Sequence, residues 1–325
     1  MRTRRTLTTL LAASPVLVTA IARAQAWPSQ PIRLVVASPA GGNADVVARL
    51  VAHELEPRLG QRILVENMAA ASGMRATEAV SRAAPDGHTW LVGTSSQLVH
   101  NLALFDPLPV DIARTLRGVA MMNEAPGVLV VRADHPARDL PDFIDRAKAA
   151  RGGFVMGSGP AGTTTHILGL HFAARSGATF EHLPYPAGAQ AMRDVIGGRV
   201  TCMFDIAVTA LPQIKGGAVR GLGVSSPQRL RAAPELPTIV EGGVPDFIAG
   251  TWNSIAVPAG VPETLVARIN SLVNEVVQAP AMRRRLEDLG SFVPAAMTPA
   301  DVDAYYARER AYWIPVVRAT GARAS

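Results

Sequence analysis

The sequence predicts an α/β fold made of two βα-rich halves, and three observations carry that expectation. Short apolar runs alternate with stretches whose apolar residues recur at helical spacing, the pattern of βαβ units on parallel sheet. The alternation pauses once and resumes without a flexible linker, so crossing strands rather than a tether should join the halves. Residues 27–325, in a chain that is 48% hydrophobic, can bury a large core, and chains of this length commonly divide it in two.

Each element has its own local reason. Residues 32–37 (IRLVVA) are an apolar run interrupted only by Arg33, which reads as a buried strand, and Asn43–Leu59 carries apolar residues at helical spacing. A second strand at 63–66 and a helix at 74–83 follow, and the turn Pro85-Asp86-Gly87 leads into a third strand at 89–93. The second half opens with a strand at 128–131, a helix at 140–150 and a strand at 154–157. A helix at 163–174, a strand at 180–185, a helix at 190–196 and strands at 200–204 and 222–225 complete it. The last part holds one strand, 254–257, then helices at 263–278, 281–289 and 299–318. The stretch 227–245, with Pro227, Pro234, Pro237 and Pro245, reads as a return path between the halves. Lobe one is therefore expected to be 27–125 plus 226–325, and lobe two 126–225.

The N-terminus has the three parts of a secretory signal peptide. Arg2, Arg4 and Arg5 precede an apolar segment from Leu7 to Ile21, and Ala24-Gln25-Ala26 supplies the small-residue ending. Cleavage is expected after Ala26, releasing a periplasmic protein that begins at Trp27. The apolar segment falls short of the ~20 residues a membrane span needs. Thr3-Arg4-Arg5-Thr6-Leu7 also loosely resembles a twin-arginine export signal, so the export route stays open.

Removing 1–26 takes four arginines and no acid, and the formal charge falls from +6 to +2. With no basic run interleaved with aromatics, a nucleic-acid partner is not expected. A single cysteine, Cys202, permits no internal disulfide, and its apolar surroundings suit a small buried hydrophobe.

Two strand-to-helix corners carry the chemistry. Ser38-Pro39-Ala40-Gly41-Gly42-Asn43-Ala44-Asp45 follows the first strand and opens the first helix, where open α/β sheets bind ligands. Its glycines admit close approach, and the first N–H groups of a helix are unpaired and partly positive, which suits an anion. A plain turn capped by Asn43 or Asp45 is the alternative. Ser158-Gly159-Pro160-Ala161-Gly162-Thr163-Thr164 has the same character in the second half. Thr94 and Ser95 follow the third strand, and Asp205 ends the strand at 200–204, so both can face the same crevice or simply cap turns.

Gly157, Gly159 and Gly162 also spell G-x-G-x-x-G, with Glu181 nineteen residues beyond Gly162, which keeps an exported dinucleotide-dependent oxidoreductase as a rival. Pro160 removes a donor from that loop, and Glu181 falls inside a strand rather than at its end. No G-x-S-x-G, P-loop or H-E-x-x-H is present, and His166 and His171 are five apart, on different helix faces. No catalytic residue, metal ligand or cofactor is therefore expected. Among the tryptophans, Trp252 is the best candidate for a cleft.

Several segments together resemble one family. These are Pro39-Ala40-Gly41-Gly42 with Asp45, Val65-Glu66-Asn67, Ala84-Pro85-Asp86-Gly87, Pro184-Tyr185 and Asp194–Val200. Met203-Phe204-Asp205, Leu236-Pro237-Thr238 and Val257–Pro262 complete the series. In this order they resemble the substrate-binding receptors of tripartite tricarboxylate transporters, the Bordetella uptake gene (Bug) family, over essentially all of 27–325. The resemblance implies a type II periplasmic binding protein, a Venus flytrap of two α/β lobes, that takes a small carboxylate solute without turnover. It implies that Ala40, Gly41, Gly42 and Asn43 meet the carboxylate from lobe one, with Thr94 and Ser95 beside them. Gly159, Gly162, Thr163 and Thr164 would approach from lobe two, with Asp205 at the cleft edge. The protein would then be a monomer that delivers solute to membrane permease subunits or reports it to a sensor. Two departures stand out. Residues 67–73 read NMAAASG where the family shows Asn-Arg-Pro-Gly and further glycines, and a glutamate common near Leu170 or His171 is absent.

Overall fold

A computed structural model describes residues 27–323; the leader 1–26 and its expected cleavage lie outside the described residues. Strands β1 (Ile32–Val36), β2 (Ile63–Asn67) and β3 (Thr89–Thr94) alternate with helices α1 (Asn43–Leu59) and α2 (Met74–Ser81). A π-helical turn, Ser96–His100, runs into α3 (Asn101–Leu104), and α4 (Ile112–Thr115) leads to the long strand β4 (Leu116–Arg132). Then come α5 (Leu140–Ala149), β5 (Phe154–Ser158), α6 (Thr164–Ser176), β6 (Phe180–Pro184), α7 (Gly188–Ile196) and β7 (Cys202–Ile206). The chain continues with α8 (Ala207–Lys215), β8 (Val219–Val224), β9 (Gly250–Pro258), α9 (Glu263–Gln278), α10 (Pro280–Asp288) and α11 (Pro299–Ala319).

β4 belongs to both sheets. Its first part, Leu116–Pro126, pairs antiparallel with β9, which continues through β3 to the parallel strands β1 and β2. From Gly127 onward it pairs with β7 on one side and β8 on the other, and β7 leads through β5 to β6. The change falls at Pro126-Gly127, where proline offers no N–H. The Gly127 N–H donates instead to Ser225 Oγ at 2.9 Å, and the Ser225 N–H returns a bond to Gly127 O. Gly250 begins β9 here because any Cβ would lie 2.5 Å from Ala125 O.

Each half has its own packing. In the first, Val47, Val51 and Leu55 of α1 pack with Leu34 and Val36 of β1 and with Val266, Ile269 and Val273 of α9. In the second, Phe143, Phe172, Phe180, Phe204 and Phe247 form a chain of ring contacts over one sheet face. Burying such side chains contributes ~1.5–3 kcal/mol each. Cys202 sits there as a free, fully buried thiol, and burial raises its pKa. No helix among the described residues is long and apolar enough to cross a membrane.

Four elements depart from the sequence reading. β4 starts at Leu116 rather than near 128, because tertiary contacts absorb residues that look like strand breakers. Gly118 lies where a Cβ would strike Val302 of α11, and Asn123 is buried between Asn253 and Ser291. α8 was not expected, since Pro212 stands inside it, and α3 and α4 are single turns too short to show a period. The stretch 226–249 packs on the second half: Thr238 pairs with Val224, and Gly242 lies against Leu140 of α5.

Candidate functional site

Four helices begin at one cavity of about 620 Å³. α1 starts after Gly42, α6 after Thr163, α7 after Ala187 and α8 after Ile206, and the first residues of all four line the space. None of the four has a side-chain cap. Side-chain caps occur on α4, α5 and α11 (Asp111, Asp139 and Thr298), which begin elsewhere. Because α2, α9 and α10 also lack one, the convergence rather than the missing cap sets the cavity apart. Four partly positive helix ends aimed at one space favour a negative guest.

The two corners expected from the sequence face each other across this cavity. Ala40, Gly41, Gly42, Asn43 and Thr94 line it from one side, and Gly159, Thr163, Thr164 and Asp205 from the other. Asp45, Ser95 and Gly162 do not line it, and each does something else.

Asp45 is 4% exposed and stands behind the first corner. Its carboxylate accepts from the Gly41 N–H (2.8 Å), Arg49 Nε (3.0 Å) and Asn67 Nδ2 (3.0 Å). Burial alone would raise its pKa, but these bonds outweigh burial and hold it below the usual carboxylate range. The Gly41 N–H is thus spent inside the protein, and Gly41 contributes its φ of +75° rather than a donor. The Gly42 N–H turns back to Pro39 O at 3.2 Å. Two buried atoms in the cavity wall, Ser38 Oγ and Asn43 Oδ1, have no partner within the described residues.

Ser95 is 1% exposed and belongs to a hydroxyl cluster that spans the cleft. Its Oγ lies 2.9 Å from Thr164 Oγ1 and 3.1 Å from Thr251 Oγ1. Ser96 Oγ accepts the Thr164 N–H at 3.0 Å, and Ser72 Oγ donates to Ala161 O at 2.9 Å. Gly162 has a φ of +82°, donates its N–H to His166 Nδ1 at 3.0 Å, and lies against Leu104 of α3. Burial, then the neighbouring His182, lowers the His166 pKa to about 4, so the ring is neutral and accepts this bond.

The second corner therefore consumes its own donors. The Gly159 N–H goes to Thr165 Oγ1 and the Thr163 N–H to Pro160 O. That leaves the G-x-G-x-x-G segment no amide cradle for a diphosphate, and Glu181 is the second residue of β6, away from the corner. Asp205 is the penultimate residue of β7 and is buried, with the Ile206 N–H on its Oδ1 at 2.9 Å. Burial pushes its pKa up to about 6, against weaker opposing bonds from Thr209 and Ile206.

Other wall residues had no sequence signal of their own. Met192, Arg193 and Ile196 come from α7, and Val208, Thr209, Pro212 and Gln213 from α8. Gln97 locks the third-strand corner, its Oε1 accepting from the Thr94 N–H and Oγ1 while its Nε2 bonds Ala37 O and Ser72 O. Ser72 lies in the segment that departs from the family pattern, and Ala71 and Ser72 hold φ of +51° and +52°, where glycine is at ease. Trp252 stays out of the cavity: it stacks on Tyr306 and donates to Glu309 at 2.8 Å, while its neighbour Thr251 lines the space. Among the described residues no cluster of His, Cys, Asp or Glu could hold a metal.

Comparison with known proteins shows the family. The family model of the tripartite tricarboxylate transporter family receptor matches residues 47–322. Protein BugT of Bordetella pertussis is 32% identical over 301 residues, covering 92% of each chain. The R. palustris protein Rpa4515, solved with adipate, is 28% identical at a TM-score of 0.87, covering 91% of this chain and 99% of its own. MatC of Rhodopseudomonas palustris, solved with bound malate, is 30% identical at 0.82, covering 90% of this chain and all of its own.

Proposed function

The chain belongs to the tripartite tricarboxylate transporter receptor family, and on that premise we propose that it captures a small carboxylate between two closing lobes and delivers it to an uptake system. Family members are periplasmic binding proteins with the Venus-flytrap fold. The observation that carries the reading for this chain is the convergence of four helix starts on one cavity, with Ser38 Oγ and Asn43 Oδ1 buried in its wall and unpartnered. Ala40, Gly42, Asn43 and Thr94 form the lobe-one side of the site, and Gly159, Thr163, Thr164 and Asp205 the lobe-two side. Asp45, Ser95 and Gly162 support them from behind. Amide bonds to a charged acceptor contribute ~1.5–3 kcal/mol each, so a few of them reach the ~8 kcal/mol of micromolar binding after association is offset.

We place lobe one at 27–125 plus 250–325 and lobe two at 126–249, with 226–249 moved to lobe two because it packs on β8 and α5. Ligand bridging both sides favours the closed form, since only that form makes both sets of contacts. A membrane permease reads closure, and the export leader ending at Ala26 delivers the receptor to the periplasm as a monomer. A ligand-reporting role with a sensor would use the same site.

Calorimetry against a panel of mono- and dicarboxylates tests the reading, with saturable micromolar binding expected. Gly188 opens α7 with only Asp205 Oδ1 near its Cβ position, at 3.9 Å, so Gly188→Leu should project into the cavity and abolish binding without unfolding the protein. No heat from any carboxylate, or undiminished binding by Gly188→Leu, overturns it.

A further inference from the structure

The cavity does not end at the helix starts. It runs outward along one face of α7, lined by Gly188, Ala189, Met192, Arg193 and Ile196, against Val208 and Pro212 of α8 and Val46 of α1. Positions i, i+1, i+4, i+5 and i+8 share a helix face, so these residues form a continuous stripe. Ile196, at 38% exposure, marks the mouth. The α7 stripe is apolar but for Arg193, and α8 adds two uncharged polar side chains, Thr209 and Gln213; Arg193 is the one cation among the cavity residues, and no acid forms an ion pair with it among the described residues. Its neighbour Asp194 instead accepts from the Tyr185 hydroxyl at 2.7 Å and faces Arg199. Val46 also lines an adjoining groove with Arg284, Arg285 and Asp288 of α10, which stays outside the cavity itself.

An anion site at one end, an apolar wall, and an unpaired guanidinium further out specify a guest with charge at both ends. We infer that the solute is a dicarboxylate with a long apolar spacer, one carboxylate at the helix starts, the spacer along Met192 and Val208, and the second carboxylate on Arg193. This rests on the carboxylate-capture reading and adds the length and second charge of the ligand. The rise from Gly188 to Arg193 is about 7.5 Å. An extended chain advancing about 1.2 Å per bond crosses that in about six bonds, which points to diacids of about six to eight carbons. A four-carbon diacid is too short to touch both ends, and a monoacid leaves Arg193 unused. A planar guanidinium meeting a carboxylate in a fork gives geometry as well as charge.

Calorimetry with three probes tests this: heptanedioate, heptanoate and butanedioate, on the wild-type protein, Arg193→Gln and Arg193→Lys. Heptanedioate should bind about tenfold tighter than either other probe, the factor that ~1.4 kcal/mol supplies. Arg193→Gln should erase the preference for heptanedioate over heptanoate while leaving heptanoate itself unchanged, and Arg193→Lys should restore part of it. Arg193 is exposed, so a matching thermal melt is expected for both variants. If heptanoate binds as well as heptanedioate, or Arg193→Gln keeps the preference, the second-carboxylate assignment falls and carboxylate capture stands. If neither these probes nor the wider panel binds, the capture reading itself falls.

Discussion

Each side of the cleft carries one buried aspartate, and the two titrate in opposite directions. Asp45, behind the first corner, gathers three donors and is held below the usual range. Asp205, in the wall of the second side, has been taken out of water with few bonds in return and is pushed up to about 6. The corners differ in the same sense. The first tightens itself from behind, through Asp45, Arg49 and Asn67, and leaves the start of α1 open to the cavity. The second spends its amides on Thr165, His166 and the facing Ser96. One side braces its corner from behind; the other bonds across the cleft to Ser95, Ser96 and Ser72.

The largest test of that contrast is Asp45→Ala. It removes the acceptor of the Gly41 N–H and the ion-pair partner of Arg49, and it leaves Asn67 Nδ2 with Ser38 O alone. Bonds to a charged acceptor contribute about 1.5–3 kcal/mol each when buried and less where water can replace them, so a loss of about 2 kcal/mol in a urea melt is expected, with carboxylate binding lost in parallel. A stable Asp45→Ala protein that still binds would show that the first corner needs no support.

Asp205→Asn probes the other aspartate and should act in the opposite direction. A carboxyl whose folded pKa lies at about 6, above the usual carboxylate range, favours the folded state while protonated. Its stabilisation is complete below about pH 4 and is lost as pH rises towards about 6. Asparagine keeps the acceptor for the Ile206 N–H and removes the charge. The variant should therefore gain on the order of 2–3 kcal/mol at pH 7.5 and almost nothing at pH 4, read from urea melts at both pH values. A carboxylate ligand should also bind the wild type more tightly at pH 5.5 than at pH 7.5, a difference absent in the variant. Lower stability of Asp205→Asn at pH 7.5 would mean that the charge is compensated.

The parts of this molecule that could be read from its sequence are those whose signal is local. The strand-to-helix corners announced themselves through glycine and small residues after apolar runs, and α1 was legible to both its ends, with Gly60 at φ +64° stopping it. What stayed hidden depends on contacts distant in the chain. β4 carries Gly118 and Asn123 because α11, Asn253 and Ser291 wait for them, and α8 tolerates Pro212 in its interior. The cavity's outer wall is hidden for the same reason: Met192, Arg193 and Ile196 look like an ordinary amphipathic helix until α8 is laid beside them. Asp45 was legible as a residue of the site but not in its role. Its distance from Gly41, four residues along, gave no sign that the loop would turn back to reach it. Ser72 had a signal in retrospect, since it lies where the sequence leaves the family's glycine-rich pattern.

The finest test separates closure from contact with the ligand. Gly162 faces the cleft's other side rather than the cavity: a Cβ there would lie 2.4 Å from Leu104 Cδ1, on a backbone at φ +82°. Gly162→Ala should therefore weaken carboxylate binding about tenfold by opposing closure, with a further strain of about 1 kcal/mol from the left-handed backbone. The two contributions can be told apart. Adding Leu104→Ala removes the obstructing methyl groups and leaves the backbone strain in place, so the double variant should regain most of the affinity but not the stability. If the second substitution restores nothing, the glycine is required by its own backbone alone. The second corner would then no longer differ from the first in the way its closing contacts imply.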